Sequence, residues 1–86
     1  MVHLFGKKKQ TIEKLVKIGE LYGWEREFWK DNVNFTRERD SVSLMKIDGG
    51  YKIIFSKDKK PVHAEIVQKK EHGMMLVGEA LAYFKW

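Results

Sequence analysis

The chain has 86 residues, 43% of them hydrophobic and 13% aromatic, with a single proline and no cysteine. That length holds one domain with a modest core and is too apolar for a disordered tail, while the missing thiols exclude disulfides, cysteine nucleophiles and cysteine-based zinc sites. Seventeen Lys and Arg against 12 Asp and Glu leave a net charge of +5, which suits an anionic partner such as nucleic acid but also serves plain solubility.

Residues 1–9 contain Lys7-Lys8-Lys9 and are expected to form a basic, partly flexible lead-in to a single domain covering 1–86. The apolar start, Met1 to Gly6, is too short for a signal peptide. No run approaches the roughly 20 apolar residues of a membrane span. With no cysteine to staple so small a fold, a cytoplasmic location is expected.

Residues 11–22 place Ile12, Leu15, Val16, Ile18, Leu21 and Tyr22 at spacings of three and four, which predicts an amphipathic helix. Thr11 suits its N-cap and Gly23 its stop. From Trp24 to Trp29 the period changes, and the run fits either a strand or a short helical continuation. Val33-Asn34-Phe35-Thr36 alternates as a half-buried strand does. Residues 41–47 and 51–56 are rich in β-branched and aromatic side chains. Asp48-Gly49-Gly50 joins them, and both glycines are expected at positive φ in a tight hairpin.

After the polar turn Lys57-Asp58-Lys59-Lys60, Pro61 is expected to open a further strand, Val62 to about Gln68. His72-Gly73 reads as a break. Residues 74–86 then predict a C-terminal helix on the sheet, with a strand over 74–77 as the competing reading. The fold class is α+β: an N-terminal helix, an antiparallel sheet of about four or five short strands, and a C-terminal helix.

Alternation assigns Val33, Phe35, Val42, Leu44, Tyr51, Ile53, Phe55, Val62, Ala64 and Ile66 to the inner face of the sheet. The opposite face then carries Met45, Ile47, Ile54 and Val67 among polar neighbours. Such a face calls for a cover, from a terminal segment of this chain or from a partner.

No catalytic constellation emerges. His63 and Glu65, two apart on one strand, share a face and can form an acid–base pair or an ordinary ion pair. His3, His63 and His72 lie too far apart in sequence for a metal-ligand spacing. No cofactor is implied, and a non-enzymatic binding or regulatory domain is expected.

Two partner classes fit. Nucleic acid is favoured by Lys7, Lys8 and Lys9 and by a second group, Lys57, Lys59 and Lys60 with Lys69 and Lys70, supplemented by Arg37 and Arg39. Trp24, Trp29, Tyr51 or Trp86 would stack on unpaired bases if exposed. The alternative is another protein, or a second copy in a homodimer, docking on Met45, Ile47, Ile54, Val67 and the terminal Trp86.

Overall fold

The computed structural model describes residues 11–86. The expectation for residues 1–9, with Lys7, Lys8 and Lys9, lies outside the described residues.

The N-terminal helix, α1, spans Ile12–Leu21. The Thr11 hydroxyl accepts from the Lys14 amide, filling one of the unpaired donors of the first turn. At the other end Gly23 has φ +84°, its amide donates to the Glu20 carbonyl, and the Trp24 amide donates to the Gly19 carbonyl. This pair of bonds is the Schellman arrangement, which satisfies the last carbonyls and turns the chain sharply into the sheet.

Five strands follow: β1 Glu25–Trp29, β2 Asn32–Arg37, β3 Asp40–Ile47, β4 Gly50–Lys57 and β5 Lys60–Val67. All neighbours pair antiparallel in the order β1-β2-β3-β4-β5. The run after Trp24 is therefore a strand. A second helix, α2, spans Lys70–Ala82.

Both helices lie on one face of the sheet. Leu15 of α1 and Met74, Val77, Ala80 and Leu81 of α2 close over Val33, Phe35, Val42, Leu44, Ile53 and Phe55. Trp24, nearly inaccessible, donates its indole N–H to the Leu81 carbonyl at 2.9 Å and so ties the start of the sheet to the last turn of α2. Burying the Val, Leu, Ile, Phe and Met side chains of this core contributes about 1.5–3 kcal/mol each before conformational entropy is counted.

Three expectations are corrected. First, α2 begins at Lys70, so His72-Gly73 lies inside the helix and the strand over 74–77 does not form. Gly73 is a point of close approach: a Cβ there would sit 2.9 Å from Leu44 Cδ1 and 3.4 Å from Val67 Cγ2. The helix also stops at Ala82. Phe84 then meets the Trp24 ring edge-on, and Trp86 stacks on Phe55 with centroids 4.3 Å apart.

Second, the hairpin between β3 and β4 has positive φ at Gly49 only. Gly50 is glycine for space, because a Cβ there would collide with the Val67 carbonyl oxygen.

Third, β5 runs in the opposite phase. Ser56 pairs with Pro61 and Phe55 with His63, leaving Val62 as the extra residue of a bulge. Beyond it His63, Glu65 and Val67 share the helix-covered face with Phe55, Ile53 and Tyr51. Ala64 and Ile66 point to the open face beside Ile54 and Lys52. Val67 is accordingly a core residue, and Ala64 and Ile66 are not. The polar pair is accommodated beneath the helices because β5 is an edge strand, where His63 and Glu65 keep about two-fifths of their side-chain surface in water.

Candidate interaction surfaces

The face of the sheet away from the helices carries no described element. Its middle is small and polar: Asn34, Ser43, Thr36, Ser41 and Ser56, with the Ser43 hydroxyl bonded to the Asn34 side chain. Towards β5 it becomes apolar, through Met45, Ile47 and Ile54, which are half-buried among their own neighbours, to Ala64 and the exposed Ile66. Trp29 stands exposed on β1 at the opposite margin. Its charged side chains are Glu25 and Glu27 on β1 and Lys52 on β4, three strands apart, so this face is close to neutral.

Of the residues expected to form a protein interface, Met45, Ile47 and Ile54 are on this face. Val67 and Trp86 are not. Val67 packs beneath α2, and the Trp86 ring lies between Phe55, His63 and Phe84 on the helix side. Ile66 belongs to the open face although sequence alternation assigns it to the core. The signal that could have revealed this is Pro61, since a proline within a sheet marks an edge or a bulge, and a bulge reverses the alternation that follows it.

The basic residues divide between the two ends of the sheet. The β2–β3 and β4–β5 turns sit side by side and are bolted together. Arg39 pairs with Asp58, the Lys59 amide donates to the Arg39 carbonyl, and the Asp58 amide donates to the Asp40 carboxylate. These bonds hold the tight β4–β5 turn, where Asp58 and Lys59 both take positive φ without a glycine. Arg37, Arg39, Lys57, Lys59 and Lys60 are thereby gathered at one end, interspersed with Glu38, Asp40 and Asp58.

Arg37 is engaged there. It donates to the Tyr22 carbonyl and its guanidinium lies 4.4 Å from the centre of the Trp24 ring. Lys69 and Lys70 lie beyond the other end of β5, about 25 Å away along eight residues of strand. They do not join the turn lysines.

Among the aromatic residues named for base stacking, Trp24 is core and Trp86 is stacked internally. Tyr51 is half-buried with Lys46 over its ring, and Trp29 is exposed. His63 Nε2 lies 3.2 Å from Glu65 Oε2, and the imidazole stacks on Phe55 and Trp86. Among the described residues no three His, Asp or Glu side chains come together as a metal site, and no helix is long and apolar enough to cross a membrane.

Compared with known proteins, the chain matches no family model, no curated protein and no solved structure.

Proposed function

We propose that the chain is a non-enzymatic, protein-binding module that recognises its partner through the open face of the sheet. The observation carrying this reading is the combination of features on that face. It is five strands wide, close to neutral, graded from Ser, Thr and Asn on β2 and β3 to Ile54, Ala64 and Ile66 on β4 and β5, and free of any described helix. A neutral face with hydroxyl and amide groups beside an apolar strip complements a protein surface of mixed character, not a polyanion.

Nucleic acid is the second reading. It is favoured by one specific arrangement, the bolted pair of turns that gathers Lys57, Lys59 and Lys60 with Arg39 at one end of the sheet. Phosphate contacts need no more than such a group, and release of counterions would supply the free energy.

A photo-crosslinking side chain placed at Ser43, on the open face, or at Lys59, in the basic turn, separates the two inside the cell that makes the protein. A discrete adduct from Ser43 that protease removes and nuclease leaves intact is the expected result. A nuclease-sensitive adduct from Lys59 with none from Ser43 replaces the first reading by the second. No adduct from either position overturns both.

A further inference from the structure

We propose that β5 pairs antiparallel with β5 of a second copy, joining two five-stranded sheets into one of ten. This pairing concerns the edges of the sheet and holds whether or not the open face binds a protein. Among the described residues only β1 and β5 have a neighbour on one side alone, and an unpaired edge is a template for another strand unless charge, proline or a bulge blocks it.

β1 is blocked. Its five residues include Glu25, Arg26 and Glu27. A two-fold axis through Arg26 sets Glu25 opposite the second copy's Glu27, and one through Glu27 sets that glutamate against itself. An axis through Phe28 sets Arg26 opposite Lys30. Like charges directly opposed on a ladder repel.

β5 is protected at its start by Pro61 and by the bulge at Val62, but His63 to Val67 carries neither. A two-fold axis through Ala64 sets His63 of each copy opposite Glu65 of the other and Val62 opposite Ile66. His63 and Glu65 already meet within one chain at 3.2 Å, so the pairing would close a four-membered ring of alternating imidazole and carboxylate on the helix side. On the other side it would cover Val62 and Ile66, which are 47% and 69% exposed. Ala64, at the axis, is small enough for the two copies to approach. The strand is self-complementary in hydrogen-bonding groups and in apolar character in this one register, and the pairing would make the two open faces continuous.

An edge pairing of this length adds backbone hydrogen bonds but little area, so the association depends on concentration. Sedimentation of the full chain over a concentration series should show a monomer passing to a species of twice 10.2 kDa. Ile66→Lys, at an exposed position, should leave the melting of the monomer unchanged and abolish the larger species. The double variant V62E/I66K, which restores opposite charges across the axis, should recover it. A monomer throughout the series, or a dimer that Ile66→Lys does not weaken, overturns the proposal. So does a failure of V62E/I66K to re-form the dimer.

Discussion

The Trp86 ring lies on Phe55 with 4.3 Å between centroids and 19° between planes, so the last described residue roofs a strand in the middle of the sequence. The stack has solvent on one side, because Trp86 is only half-buried. Trp86→Ala should therefore cost less than the loss of a fully enclosed ring, about 1–3 kcal/mol. Urea unfolding measures it, and an unchanged midpoint would mean that the terminal residues contribute nothing to the core.

Gly73 should tolerate little growth. Leu44 Cδ1, the atom nearest to a Cβ there, belongs to a side chain that is itself enclosed. For Gly73→Ala the crowding is partly offset by about 1 kcal/mol of helix propensity, leaving a small net change. Gly73→Leu has no such refuge and should destabilise by more than about 2 kcal/mol. Equal melting of the two variants would show that α2 can lift from β3 at no cost.

The two hairpin glycines should respond differently. Gly49→Ala places a side chain at φ +83° with nothing within 4 Å, a backbone cost of about 1 kcal/mol. Gly50→Ala leaves φ ordinary but drives a methyl group into the Val67 carbonyl, so β4 and β5 must part locally. Gly50→Ala should be the more damaging of the pair in thermal unfolding. The reverse order would place the tight approach elsewhere.

The nucleic-acid reading makes a quantitative demand on the basic turn. About four phosphate-binding lysines give a slope near −3 to −4 when log affinity for duplex DNA is plotted against log salt. The triple variant K57Q/K59Q/K60Q should flatten that slope by about 0.9 for each phosphate no longer neutralised, whereas K69Q/K70Q, at the other end of the sheet, should leave it unchanged. An equal effect of both variants, or no retention on DNA or RNA at low salt, removes this reading.

Elements whose signals are local were legible in the sequence. Thr11 and Gly23 bracket α1 because caps act within one turn, and the period-two runs in β2, β3 and β4 follow from burial on a single face. The phase of β5 was not legible. It depends on one bulge residue at Val62 and on a terminal tryptophan that shields His63, neither of which appears in a pattern of apolar and polar letters. Gly73 misled for a similar reason: its meaning lies in Leu44, 29 positions away in the chain. For the candidate surface, Met45, Ile47 and Ile54 followed from alternation. Ile66 needed the bulge, and Trp86 needed the turn of the chain after α2.

Among the described residues each strand of the sheet pairs only with strands adjacent to it in the sequence. Each hairpin closes over a two-residue loop, so little chain entropy is lost before a pairing begins to contribute. The layer above is different. Trp24 reaches Leu81 across 57 positions, and that seam can form only once α2 has reached the sheet. The expected order of folding is therefore zippering of neighbouring strands first and docking of the helical layer after it. A Trp24 variant should shorten the lifetime of the native state by accelerating unfolding, with little change in the rate at which the chain refolds.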